Sequence, residues 1–133
     1  MINDKNKKIF IYILLVLFVF AIDRFSKTII LNILDNTGKV DIYVNSFFSL
    51  FLVWNKGIGF GLFSFDNSSI YNGISLIILI INFIIIYLIC IEKTPKTYFL
   101  AIILGGSIGN LFDRYYYTAV PDFIDLNYNG YHW

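Results

Sequence analysis

The sequence predicts a mainly α-helical, polytopic membrane protein, with three transmembrane helices and a small extracytoplasmic β-sheet. Three observations lead there. The 133 residues are 58% hydrophobic and only 14% charged, whereas a soluble domain averages about 45–50% apolar and about 25% charged residues. The apolar residues gather in long runs, and the mean hydropathy is +0.72. Between the first two runs lies an aromatic-rich stretch that alternates instead. The length suits one membrane-embedded domain, residues 1–133.

The first run, Ile9 to Ile22, is followed by Asp23, Arg24 and Lys27 rather than by a small-residue cleavage site, which argues against a signal peptide. It is too short to span by itself, since a span needs about 20 residues. The helix therefore continues through the charges, over about 8–33. Asp23, Ser26 and Lys27 fall on one helical face. Charges at membrane depth are costly, so they are expected to face the bundle interior and find partners. The second helix, 69–91, carries no charge and ends at "EKTPK", where Pro95 breaks it. The third, 97–115, contains Gly105 and Gly109 at GxxxG spacing. That spacing permits close helix packing, or makes room for a substrate.

The stretch 38–66 reads as an extracytoplasmic β region. Val40, Ile42 and Val44 alternate with Asp41, Tyr43 and Asn45, as in a half-buried strand. Asn55–Gly57, "NKG", reads as a turn between aromatic-rich strands, and the sheet is expected to lie on the outer membrane surface. Lys5, Lys7 and Lys8 precede the first helix, and Lys93 and Lys96 sit between the second and third. Positive loops stay in the cytoplasm, so the N-terminus is expected inside and the segments 35–67 and 112–133 outside.

Several function classes drop out. A net charge of +1 gives no basic field for nucleic acid. One cysteine, Cys90 in an apolar run, and one histidine, His132, offer neither a disulfide framework nor a metal site, so no metal and no cofactor are expected.

The polar residues concentrate in "GGSIGNLFDRYYYTAVPDFIDL", Gly105 to Leu126. Gly106, Asn110 and Asp113 share a helical face. Asp122 and Asp125 follow in a loop, or in the start of another helix, three residues apart and able to line one side. Asp23, Lys27 and Asn55 are expected at the same depth. Two neighbouring aspartates cannot both ionise easily, so such a pair offers an acid and a base together and can activate water directly. The same residues also fit structural ion pairing between helices, or ion and proton conduction.

Four motifs together resemble the lipoprotein signal peptidase (signal peptidase II) family: "DRFSK" (Asp23–Lys27), "WNKGIGFG" (Trp54–Gly61), "GGSIGNLFDR" (Gly105–Arg114) and "VPDFID" (Val120–Asp125). They occur in the family's order and span nearly the whole chain. The resemblance implies a four-helix aspartic endopeptidase of the bacterial cytoplasmic membrane, with its active site toward the outer leaflet. Such an enzyme cleaves a prolipoprotein before its diacylglyceryl-modified cysteine. Its implied partners are lipid-modified precursors and membrane lipids, with the enzyme acting as a monomer. By motif, Asp122 is the first catalytic aspartate. Asn55, Asn110 and Arg114 position substrate, while Asp23, Lys27, Gly57, Gly106, Gly109 and Asp113, near Arg114, give structural support.

The sequence departs from the family twice. Pro121 stands where a β-branched residue is usual. No residue matches the Phe-Asn-x-Ala-Asp motif that opens the family's fourth helix and brings the second catalytic aspartate. The segment 116–133 is thus read as the start of a catalytic loop, with the fourth helix missing. On that basis the 133-residue chain alone is expected to be inactive, the alternatives being an inactive fragment or a non-cleaving module that binds lipidated peptides.

Overall fold

The computed structural model describes residues 4–57, 68–92, 94–128 and 131–132. Three helices, α1 (Asp4–Thr37), α2 (Ser68–Ile91) and α3 (Lys96–Tyr117), carry four strands, β1 (Asp41–Asn45), β2 (Phe48–Asn55), β3 (Val120–Tyr128) and β4 (Tyr131–His132). Helix α1, about 51 Å long at 1.5 Å per residue, exceeds the roughly 30 Å hydrocarbon core of a bilayer. It ends where Gly38 adopts φ 75° and its amide donates to the Leu34 carbonyl at 2.7 Å. That left-handed terminus is one glycine reaches without strain. Within α1 and α2, Asn6–Thr37 and Ser69–Ile91 are long and apolar enough to cross a membrane. Helix α3 is less apolar than α2, because Asn110, Asp113 and Arg114 lie in its C-terminal half.

Helix α3 is the centre of the helical layer and packs against both α1 and α2. Its buried face, Thr97, Ala101, Leu104, Gly105, Gly109 and Asp113, repeats at three- and four-residue spacing. Helices α1 and α3 run parallel. Tyr12 meets Tyr98 edge-to-face at 5.1 Å, and far along both helices Lys27 meets Asp113. The glycines explain the close approach. A Cβ on Gly105 would stand 2.7 Å from Val19 Cβ and 2.8 Å from the Val16 carbonyl, and one on Gly109 would strike the Asp23 carboxylate. The GxxxG pair therefore packs against α1 and makes no room for a substrate. Gly106, expected as a support, has nothing within 4 Å of a Cβ position among the described residues. The outward faces of α1 and α2 expose Phe10, Phe18, Phe25, Leu76, Phe83 and Tyr87, as helices in lipid do.

The strands form an antiparallel sheet in the order β1-β2-β3-β4. Two expectations need correction. Strand β1 is exposed along its whole length rather than half-buried, because among the described residues it is an edge strand paired only with β2. The segment after α3, expected as a loop or a helix start, is instead β3. Helix α3 closes at Thr118 in the left-handed region, φ 56°, and the chain turns back to pair with β2, placing Val53 opposite Asp122 and Ser49 opposite Asp125. The second aromatic-rich strand expected after "NKG" lies outside the described residues.

Candidate active site

Two polar clusters sit at the sheet end of the helical layer. The first lies between α1 and α3. Asp113, whose side chain is fully buried, accepts from Lys27 Nζ at 2.6 Å on Oδ2 and from Arg24 Nη1 at 2.5 Å on Oδ1. Lys27 also reaches Asp23 Oδ1 at 2.9 Å and Asn110 Oδ1 at 2.8 Å. Arg24 reaches Asp23 Oδ2 at 2.6 Å and stacks on Phe112, with its guanidinium carbon 4.8 Å from the ring centre. Two acids and two bases balance, so the cluster carries no net charge. That satisfies the demand that intramembrane charges be paired. Asp113, adjacent to Arg114 in sequence, takes its partners from α1 instead.

The second cluster joins the sheet to α3 and α2. Asn55 closes β2 and is buried, 7% exposed. Its amide Nδ2 donates to Asp122 Oδ2 at 2.7 Å, and its Oδ1 accepts from the Gly57 amide at 2.8 Å. Arg114 Nη2 donates to the Gly57 carbonyl. The Arg114 guanidinium lies over the Tyr71 ring, 5.3 Å from its centre, and the Tyr71 hydroxyl donates to the Arg114 carbonyl at 3.2 Å. A chain of contacts thus runs from α2 through α3 and the Asn55–Gly57 turn to the carboxylate of Asp122.

Strand geometry decides which carboxylate faces outward. Asp122 and Asp125 differ by an odd number of positions, so they point to opposite faces of β3. Asp122 is exposed and shares a face with Asn55. Asp125 lies on the other face and accepts from Ser49 Oγ at 2.6 Å. The expectation that both line one side is therefore overturned by the strand. Pro121, the departure from the family pattern, is fully buried opposite Trp54. Among the described residues β4 reaches only Asn127 and Tyr128, so there β3 has no second neighbour at Pro121, where a missing N–H is tolerated.

The structure brings together Asn55, Gly57, Arg114 and Asp122. It places Asn110, Asp23, Lys27, Gly109 and Asp113 in the neighbouring charge cluster. Arg24 and Tyr71 were not singled out as site residues. The signal for Arg24 was its place three residues before Lys27, on the same helix side. A single exposed carboxylate held by an amide can orient water or an amide substrate, and a second carboxyl would complete an acid–base pair. Among the described residues no cluster of groups could hold a metal ion.

Comparison with known proteins fits this geometry. The model of the signal peptidase (SPase) II family matches residues 15–133. The lipoprotein signal peptidase of Pelagibacter ubique (strain HTCC1062) is 49% identical over 132 residues, covering 99% of this chain and 78% of its own. That of Francisella tularensis subsp. novicida (strain U112) is 36% identical over 129 residues, covering 92% and 77%. A bacterial membrane enzyme solved in meso at 2.3 Å resolution superposes with a TM-score of 0.73 at 25% identity, over 90% of this chain and 72% of its own.

Proposed function

The chain belongs to the signal peptidase II family, and from that premise we propose that Asp122 is one of its two catalytic carboxylates. Members are aspartic endopeptidases of the bacterial membrane, and the function is removal of signal peptides from diacylglyceryl-modified prolipoproteins. The observation that carries the residue assignment is the Asn55–Asp122 hydrogen bond, which fixes one outward carboxylate on β3 beside the end of α3.

In this reading Asp122 and a second carboxyl share one proton. The ionised member takes a proton from water, whose oxygen attacks the scissile carbonyl. The protonated member gives its proton to the departing amide nitrogen, leaving a new carboxyl on the signal peptide and a free amine on the lipidated cysteine. Asp125 does not supply the second carboxyl, because it faces away. No other residue of this sequence matches the family motif for it. Asn55 and Arg114 act as positioning residues, Arg114 through the Gly57 carbonyl. Asn110, whose Oδ1 is taken by Lys27, offers its Nδ2 to substrate. Asp23, Lys27 and Asp113 lock α1 to α3 beneath.

The reading places the N-terminus and the α2–α3 turn in the cytoplasm and the sheet at the outer leaflet. Its support is the parallel α1 and α3, which bring Lys5, Lys7, Lys8 and Lys96 to one end, against Lys39 and Lys56 at the other. There the acyl chains of the precursor stay in lipid while its scissile bond meets the polar residues.

The test is processing of a lipidated precursor by the membrane-embedded protein that carries these residues. Asp122→Asn is expected to slow cleavage about 10²–10⁴-fold with the protein still present in the membrane, while Asp125→Asn stays close to wild type. Wild-type processing by Asp122→Asn would remove Asp122 from the mechanism.

A further inference from the structure

Lys27 and Arg24 hold the same two carboxylates and differ in what else they touch. Lys27 is buried, and its ammonium meets three acceptors. Two are charged, Asp113 Oδ2 at 2.6 Å and Asp23 Oδ1 at 2.9 Å. The third is neutral, Asn110 Oδ1 at 2.8 Å. Arg24 takes the remaining oxygens of the two acids, Asp113 Oδ1 at 2.5 Å and Asp23 Oδ2 at 2.6 Å. Its further bond goes to the Gly109 carbonyl at 3.3 Å. Two cations against two carboxylates already satisfy the need for charge pairing in a membrane. The Lys27–Asn110 contact is additional to it.

An ammonium has donors only, so it selects one end of the Asn110 amide. The oxygen turns toward Lys27 and Nδ2 is left on the far side. Asn110 is exposed, and among the described residues its Nδ2 has no hydrogen-bond partner. The carboxamide is planar, so a fixed oxygen fixes the direction of the nitrogen. Released from Lys27, the amide turns about its last torsion, which is broad and roughly two-fold, and presents oxygen as readily as nitrogen. Asn110 stands one turn before Arg114 on α3, a helix docked on both α1 and α2. The donor is thus carried by a rigid element and aimed by a buried charge.

We propose that Lys27 is a positioning residue for substrate, holding Asn110 with Nδ2 outward as a fixed donor to a carbonyl oxygen of the lipidated precursor. This rests on Asn110 being a substrate contact, as read above. Lys27 itself touches no substrate. It orders the amide before the precursor arrives, so that this ordering is not charged against binding. Arg24 shares the task of joining α1 to α3 but has no part in this one.

The experiment reads binding rather than cleavage. The membrane-embedded protein in detergent is titrated against a fluorescent peptide that carries a diacylglyceryl-modified cysteine, and anisotropy gives Kd. Asn110→Ala is expected to weaken binding about three- to tenfold, the share of one hydrogen bond. Lys27→Met weakens it to the same extent, and Lys27→Met with Asn110→Ala no further, because the two act through one contact. Arg24→Met, which takes the other cation from the same carboxylates, stays close to wild type. Asn110→Asp keeps an oxygen for Lys27 but offers no donor, and binds no better than Asn110→Ala. If Lys27→Met does not fold, Lys27→Met/Asp113→Asn is compared with Arg24→Met/Asp113→Asn. Each pair removes one cation and one carboxylate, and only the first is expected to bind more weakly than Asp113→Asn alone. Equal losses in the Lys27 and Arg24 variants would mean that the cluster only holds the helices together, and would overturn the positioning role while leaving Asn110 a substrate contact. Wild-type affinity in Lys27→Met, or additivity with Asn110→Ala, overturns it as well. Wild-type affinity in Asn110→Asp overturns the outward donor. No binding by wild type, or wild-type affinity in Asn110→Ala, removes Asn110 as a substrate contact and the role of Lys27 with it. Cleavage is not read, so failure of the Asp122 assignment would leave these outcomes unchanged.

Discussion

Asn55 uses both ends of one amide. Nδ2 holds Asp122 and Oδ1 holds the Gly57 amide, so no residue without both a donor and an acceptor at that reach can replace it. Asn55→Ala is expected to release the carboxylate and lower cleavage about ten- to a hundredfold, one charge-assisted hydrogen bond's worth of orientation. Asn55→Asp keeps the acceptor but sets a second negative charge against Asp122, and should be no better. Precursor processing at matched protein levels checks both, and undiminished cleavage by Asn55→Ala would show that Asp122 needs no such partner. The charge cluster makes a different prediction. Lys27→Met leaves Asp113 with Arg24 alone and is expected to cost about 3 kcal/mol of stability, as removing one member of a buried pair does. Adding Asp113→Asn should cost less than the two changes summed, because both belong to one network. Unfolding in detergent measures this coupling. Simple additivity would mean that the contact contributes little.

At the scale of the element, α1 and α3 are held by an absence of side chain. Helix propensity alone says that Gly→Ala gains up to about 1 kcal/mol. At Gly105 that gain is opposed by backbone and Cβ atoms of α1 within 2.7–2.8 Å, which cannot yield without separating the helices. At Gly106 nothing opposes it. Gly105→Ala is therefore expected to lower the melting temperature and Gly106→Ala to leave it unchanged or raise it. The reverse order would show that α1 lies elsewhere. The helices were legible in the sequence because apolar runs report lipid contact directly. The GxxxG spacing showed close packing but not against which helix. Strand β3 was not legible. "VPDFIDLNY" carries a proline and two acids, and its partner β2 lies across two whole helices in sequence. Pairing at such distance leaves no local period to read. Reading that segment as helix or loop is what put Asp122 and Asp125 on one side. Asp122 itself was assigned from the family motif, and Arg24 escaped because its partners Asp23 and Asp113 become partners only when α3 docks on α1.

For the whole molecule, connectivity fixes a polarity. Helices α1 and α3 are parallel, α2 and α3 form a hairpin, and the sheet therefore meets the C-terminal ends of α1 and α3 and the N-terminal end of α2. Residues near Lys8 and residues near Tyr128 must then lie on opposite sides of any bilayer that the helices cross. The orientation proposed from the lysine distribution puts the Lys8 end inside. A Cys90→Ser background removes the only native thiol, and single cysteines at exposed Lys8 and Tyr128 report each side. In spheroplasts a membrane-impermeant maleimide is expected to label Tyr128→Cys at once and Lys8→Cys only after lysis. Labelling in the opposite order would invert the molecule but keep its architecture, and would put Asp122 where no exported precursor could meet it. Labelling of both before lysis would be more serious. It would mean that α1 and α3 do not cross together, and the charge cluster that joins them would not exist in the membrane.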